Sequence, residues 1–164
     1  MSDKIYSVNY ESPLGNLQIT GDDNAIHSIL FDKIAGEDAA GLKSSVIKNC
    51  QTQLDEFFTG KRKTFELPLS PSGTDFQKSV WSALQNIPFG KTISYLELAI
   101  RIGDEKSVRA VGAANGKNPL AIVIPCHRVI GMNHKLVGYA GGLWRKQWLL
   151  EHEEKYEKGV LRLF

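Results

Sequence analysis

Two thiols, four imidazoles and eighteen carboxylates are the side chains here best suited to covalent or acid–base chemistry. One thiol and one imidazole adjoin at a single place. Cys126 lies between Pro125 and His127, with Arg128 next, at the end of the apolar run Leu120 to Ile124. A buried cysteine ordinarily acts as a small hydrophobe. A cationic or hydrogen-bonding neighbour lowers a thiol pKa and favours the thiolate, which is the nucleophile. Adjacent side chains on an extended strand point to opposite faces, so His127 needs a turn or a bridging water to reach the sulfur. Glu151, Glu153 and Glu154 are all candidates to orient the imidazole. Cys50 falls among Val46, Ile47, Leu54, Phe57 and Phe58 at helical spacing and reads as core.

Other chemistries find less support. Ser12, Ser94 and Ser107 lack a nucleophile-elbow context. No glycine-rich phosphate loop or dinucleotide fingerprint occurs. Two cysteines cannot build a disulfide framework, and their spacing with the histidines fits no standard zinc pattern. The expectation is no metal and no cofactor. An unrelated cysteine hydrolase would need an orienting group and an oxyanion site beyond Cys126 and His127.

The elements that must hold Cys126 come in two groups. Tyr6, Val8 and Tyr10 alternate with polar residues, as do Leu17 and Ile19; "SPLG" (12–15) and "GDDN" (21–24) mark turns, and Ile26, Ile29, Leu30 and Phe31 form a third run. This predicts an antiparallel meander. A loop over 35–43 and a helix from about Ser44 to Phe58, stopped by Gly60, follow. Residues 60–73 read as a connector. Beyond it, Thr74 and Gln77 make a capping box for a helix burying Phe76, Val80, Trp81, Leu84 and Ile87. Ser94 and Glu97 start a short helix to Arg101, and another runs from near Ser107 through "VRAVGAANG". Together these two have a helix-turn-helix outline. The second is rich in Ala and Gly, which build little core but admit a close partner: a neighbouring helix or a nucleic-acid groove. Leu120 to Ile124 reads as a short strand, "GYAGG" (138–142) as a close-approach loop, and 143–156 as a final helix carrying Trp144, Trp148, Leu149 and Leu150.

The 164 residues suit one compact domain or two small ones. With 42% hydrophobic and 23% charged residues the chain is globular in composition. The net charge of +2 is no argument for nucleic acid by itself. Its distribution is more telling: residues 1–72 carry net −3 and residues 73–164 net +5. The boundary is placed there. No apolar stretch is long enough to span a bilayer, "MSDKIYSVNY" has neither a basic n-region nor an apolar h-region, and free thiols suit a reducing cytoplasm.

"IPCHRVI" at 124–130 resembles the active-site motif of the O(6)-alkylguanine-DNA alkyltransferases. "FGKTISY" (89–95), "VRAVGAANGKNP" (108–119), "GYAGGL" (138–143) and "WLLEHE" (148–153) follow in that family's order and spacing, and "QLDEFFTGKRKTFELPL" (53–69) resembles the region before its catalytic domain. The resemblance implies an α/β fold class: a small N-terminal ribonuclease-H-like α/β domain (1–72, with the connector), then a mainly helical domain (73–164) with the helix-turn-helix. It implies direct-reversal DNA repair, in which the alkyl group of O6-alkylguanine in duplex DNA passes irreversibly to Cys126 after base flipping. O4-alkylthymine is a second candidate lesion. The protein would act once per molecule, without a cofactor, as a cytoplasmic monomer with no membrane partner.

The same resemblance assigns roles. His127 would act through water as the base, oriented by Glu153, with Asn118 organising the region. Tyr95 would press on the target phosphate and offer its hydroxyl to the guanine. Arg109 would enter the base stack as the nucleotide leaves. Ala110, Gly112, Ala113, Asn115 and Gly116 would face the minor groove, with Lys117 and Arg128 also at the DNA. Tyr139, Ala140 and Gly141 would line the pocket. Ala140 stands where some relatives have serine, leaving only its backbone N–H as a donor. The first domain lacks the zinc ligands of some members. Non-catalytic relatives, which bind alkylated DNA without repairing it, replace the acceptor cysteine; this chain keeps it. A lesion binder of that kind is the alternative function.

Overall fold

The computed structural model describes residues 4–34, 36 and 39–158. Alternation in the first segment produces strands β1 (Tyr6–Ser12), β2 (Gly15–Gly21) and β3 (Ile26–Phe31), an antiparallel sheet in the order β1-β2-β3. Val8 pairs with Ile19, and Ile19 with Ile29, and all three are fully buried. A register irregularity at Thr20/Gly21 adds a residue to β3, so Ile26 and Ile29 both face inward although three positions apart. Gly21 is required there: a Cβ would lie 2.6 Å from the Ala25 carbonyl oxygen.

Helix α1 (Ser45–Phe58) is capped by Ser44, whose side chain accepts from the Ile47 N–H. It buries Ile47, Cys50, Leu54 and Phe57. Buried Gln53 holds the connector by bonding both ways with the Glu66 backbone, at 3.1 Å and 2.9 Å. The free edge of β3 is covered by single parallel bridges, Ile26 to Leu69 and Ile29 to Leu120. Here the structure corrects the strand expected over Leu120 to Ile124. Only Leu120 bridges; residues 121–124 turn, and Ile122 has a φ of 73°. The run is apolar because it is buried, and burial alone does not distinguish a strand from a buried turn. Within the stretch expected as loop, Gly41–Lys43 forms a 3-10 turn, while residues 35, 37 and 38 lie outside the described residues.

The chain divides into two compact units, Met1–Ser72 with Pro119–Val123 and Gly73–Asn118 with Ile124–Phe164. The second is mainly helical. Helix α2 (Asp75–Leu84) starts with both halves of the Thr74–Gln77 capping box formed. Val80, Trp81 and Leu84 are buried; Phe76, expected with them, is exposed because the packed stripe begins one turn later. A two-residue strand β4 (Ile93–Ser94) leads directly into α3 (Tyr95–Arg101), capped by Ser94. A six-residue link, ending in a 3-10 turn at Glu105–Ser107, precedes α4 (Val108–Gly116). The Trp81 indole N–H donates to the Ala114 carbonyl at 2.8 Å, tying α4 to α2. Strand β5 (Val129–Ile130) pairs in parallel with β4, and α5 (Leu143–Glu157) closes the described chain. Among the described residues no helix is long and apolar enough to cross a membrane.

Candidate active site

Cys126, His127 and Arg128 form a 3-10 turn, not the end of a strand. The Cys126 N–H donates to the Ile124 carbonyl at 2.8 Å, and the Arg128 N–H to the Pro125 carbonyl at 3.0 Å. The turn removes the opposite-face objection: all three side chains go inside. The β4–β5 ladder, Ile93 to Val129 and Ser94 to Ile130, fastens this turn beside the start of α3, where Tyr95 begins.

Of the three candidate carboxylates, Glu153 meets the imidazole. His127 Nε2 is 2.6 Å from Glu153 Oε2, with His127 fully buried and Glu153 nearly so. Arg128 grips the same carboxylate with a fork, Nε to Oε1 at 2.8 Å and Nη2 to Oε2 at 2.9 Å, while Nη1 donates to the Ile87 carbonyl at 2.6 Å. The Gly90 N–H adds a fourth bond, to Oε1 at 3.1 Å. Gly90 has a φ of 79°, and a Cβ there would fall 2.7 Å from Glu157 carbons, so glycine permits this approach. Burial alone would raise the Glu153 pKa; His127 and the Arg128 fork more than reverse that and hold it at about 2. An ionised carboxylate only accepts, so His127 presents Nε2–H to it and keeps Nδ1 as a lone pair. Burial keeps the imidazole neutral, lowering its pKa against the pull of Glu153. Nδ1 is buried and has no hydrogen-bond partner among the described residues.

Burial pushes the Cys126 thiol pKa up, while Asn118 and the Lys146 ammonium push it down. Asn118 Nδ2 also donates to the Ile124 carbonyl at 2.8 Å, bracing the approach to the turn. Lys146 is fully buried; its ammonium donates to the Val137 and Gly138 carbonyls at 2.9 Å and 3.3 Å. Among the described residues it has no carboxylate partner within ion-pair distance, and burial lowers its pKa to about 8 against the opposing attraction of Cys126. Sequence reading missed Lys146. It lies seven residues before Glu153, two helical turns away on the same face, and that spacing is the signal that points to it. The Tyr95 hydroxyl donates to Val137 at 3.1 Å, and burial, then Cys126, raise its pKa. The same two causes, in the same order, raise that of Tyr139. Gly141 is buried and accepts from Arg145 Nη1 at 3.1 Å; Ala140 is exposed.

The residues expected at DNA separate into two sets. Arg109, Ala110, Ala113, Gly116 and Lys117 are exposed, and Gly112 is half-buried. The small residues of α4 are therefore not all used up in packing: a Cβ on Gly116 would meet nothing within 4 Å. Asn115 and Arg128 are corrections. Asn115 is buried, with Nδ2 3.5 Å from the Cys126 carbonyl oxygen. Arg128 is buried with its guanidinium committed to Glu153 and Ile87, so it is not free to reach a phosphate. Among the described residues no group of His, Cys, Asp and Glu side chains is arranged to hold a metal ion.

Residues 5–71 match the sequence profile of the 6-O-methylguanine DNA methyltransferase ribonuclease-like domain, and residues 75–155 that of the 6-O-methylguanine DNA methyltransferase DNA binding domain. A methylated-DNA–protein-cysteine methyltransferase of Methanosarcina acetivorans is 44% identical over 153 residues, covering 91% of this chain and 98% of that protein. The crystal structure of Mycobacterium tuberculosis O6-methylguanine methyltransferase superposes with a TM-score of 0.84 at 39% identity, covering 98% of this chain and 99% of that one. The Mycobacterium tuberculosis protein in complex with DNA gives the same TM-score and identity, covering 92% and 94%.

Proposed function

The chain belongs to the 6-O-methylguanine DNA methyltransferase family and performs direct-reversal repair, moving the alkyl group of O6-alkylguanine onto one of its own cysteines; we propose that this cysteine is Cys126. The observation that carries the proposal is the buried group around it: a thiol next in the chain to an imidazole whose Nδ1 is bare among the described residues, and drawn toward the thiolate by an ammonium that has no carboxylate partner among them. Cys50 has no such company. It is buried in α1, and burial pushes its pKa up to about 12.

The reaction balances without a cofactor. His127 Nδ1 takes the thiol proton through a bridging water, and Lys146 favours the resulting thiolate. The sulfur attacks the O-alkyl carbon in line. A carbon–sulfur bond forms, the carbon–oxygen bond breaks, and its electron pair leaves with the guanine. The Tyr95 hydroxyl supplies a proton to the departing base, and the proton held by His127 passes back through water to restore the phenol. A thioether has no hydrolytic exit, so each molecule reacts once. Tyr139, Ala140 and Gly141 line the pocket, with the Ala140 backbone N–H as a donor, and Asn118 steadies the thiol.

The target base lies inside a duplex and must be extruded, at a cost of a few kcal/mol. Arg109, exposed near the start of α4, fills the gap it leaves. Ala110, Gly112, Ala113 and Gly116 let α4 approach the minor groove closely, with Lys117 on a phosphate. In this proposal residues 73–164 do the work and residues 1–72 support them. The protein acts as a monomer, in the cytoplasm, where a reducing environment keeps Cys126 free. The test is the intact mass of the protein after incubation with duplex DNA containing O6-methylguanine. One methyl per molecule, and no more with excess DNA, is expected. Unchanged mass with retained binding would make it a lesion binder instead.

A further inference from the structure

We infer that Arg128 is a positioning residue that holds His127 in the neutral form with Nδ1 unprotonated, by cancelling the charge of Glu153 through its two-bond fork. The inference deepens the proposed mechanism and rests on Cys126 as acceptor and His127 as its base.

The argument is one of buried charge. Glu153 faces His127 at 2.6 Å, and a carboxylate at that distance draws a proton onto an imidazole. An imidazolium has a hydrogen on each nitrogen and cannot act as the base. Arg128 removes the pull. With its fork on both Glu153 oxygens, the pair is neutral. A proton on His127 would then be an uncompensated charge in a buried setting that already contains Lys146. Take Arg128 away and the balance reverses: the same proton would now neutralise Glu153. The fork also fixes orientation. The guanidinium is anchored independently, by the Ile87 carbonyl at 2.6 Å and over the Phe89 ring at 5.7 Å from its centroid, so it holds Glu153 still as well as neutralising it.

The other groups around this pocket do not replace it. From the turn there is the Cys126 thiol; from α3 the Tyr95 phenol; from the loop before α5 the Tyr139 phenol. Both phenols have raised pKa values and are uncharged near neutral pH. From α5 come Lys146 and Glu153, while His152 is turned onto the Trp148 ring, 4.9 Å between centroids. The segment after α2 offers only the Ile87 carbonyl and the Gly90 N–H. Lys146 opposes an imidazolium too, but its ammonium is bonded to Val137 and Gly138 and does not touch Glu153.

The test follows the His127 ring nitrogens by NMR in the full-length protein, identified by the signal lost in His127→Gln. Single-turnover methyl transfer is measured in parallel across roughly pH 5 to 9. In the parent protein Nε2 is expected to carry the proton and Nδ1 to stay bare through the neutral range. In Arg128→Met the acid limb of the rate profile should move up by about one pH unit or more, roughly a tenfold loss at a fixed pH on that limb. Arg128→Lys, which returns the charge without the fork, should recover part of the shift. A rate reduced equally at every pH, with the imidazole titration unmoved, would overturn the inference. If Arg128→Met does not fold, the parent and Arg128→Lys decide: a parent His127 protonated at Nδ1 near neutral pH overturns it, as does an Arg128→Lys profile identical to the parent's. Methyl found at a residue other than Cys126 would overturn the acceptor proposal instead, and the imidazole titration would still decide what Arg128 does.

Discussion

Replacing Glu153 with Gln keeps the side chain's shape and removes its charge, which exposes how much the buried network depends on that charge. The carboxylate accepts four hydrogen bonds, from His127, twice from Arg128 and from Gly90. Its pKa falls from 4.5 to about 2, and a drop of that size is worth about 3 kcal/mol of folding stability at neutral pH. Breaking a buried pair by removing one partner costs roughly 3–5 kcal/mol, because Arg128 would be left charged and unpaired. Domains of this size have on the order of 5–15 kcal/mol in all, so the loss is a large fraction of the whole. The pH dependence has a definite sign. The unfolded chain protonates Glu153 near 4.5, whereas the folded chain waits until about 2. The stabilisation is therefore complete above about pH 4.5 and drains away as the pH falls, with less than half left by about pH 3. Urea unfolding of the parent and Glu153→Gln, at neutral pH and near pH 3, measures this. A gap of about 3 kcal/mol that shrinks by more than half in acid is expected. A neutral-pH gap below about 1 kcal/mol, the value of an exposed pair, would refute the reasoning, and so would a gap that does not change with pH.

Arg109→Ala should lose far more transfer rate on duplex DNA than on a free O6-alkylguanine base, since only the duplex must be unstacked; equal proportional losses in single-turnover assays would remove the gap-filling role. Tyr95→Phe should slow transfer on both substrates, because the proton for the leaving guanine is missing in each; an unchanged free-base rate would argue against donation. Lys146→Met should raise the Cys126 thiol pKa, read from the pH dependence of thiol alkylation. The difference from the parent should be largest below about pH 8 and shrink above it, where Lys146 itself is losing its proton.

How much of the fold and the site is legible in the sequence depends on whether the signal is local. Tyr6, Val8 and Tyr10 alternate because one face of β1 is buried, and they can be read directly. Thr74 with Gln77, and Ser94 before α3, mark helix starts through bonds three residues long. These signals give the elements; the fold class that the family resemblance implies is the one observed. Adjacency in the chain marks Cys126 and His127 as candidates, and the family resemblance supplies the roles proposed for them. Three features are harder to read. Ile122, at positive φ, breaks an apolar run that reads as a strand. The inner face of α5 includes Arg145, Lys146, His152 and Glu153, so an apolar stripe finds only Leu149 on it. Arg128 pairs with a carboxylate twenty-five positions away. A charged residue beside a candidate nucleophile reads as a phosphate contact until the fold shows its partner.

Cys126 as the alkyl acceptor is the claim on which everything else depends. Peptide mapping by mass after reaction with duplex DNA containing O6-methylguanine tests it directly, using the parent protein, Cys126→Ser and Cys50→Ser. The expected result is a single methyl on the Cys126 peptide in the parent and in Cys50→Ser, and no methyl but retained duplex binding in Cys126→Ser. A Cys126→Ser protein that still gains a methyl, or a parent that carries it on Cys50, would contradict the account.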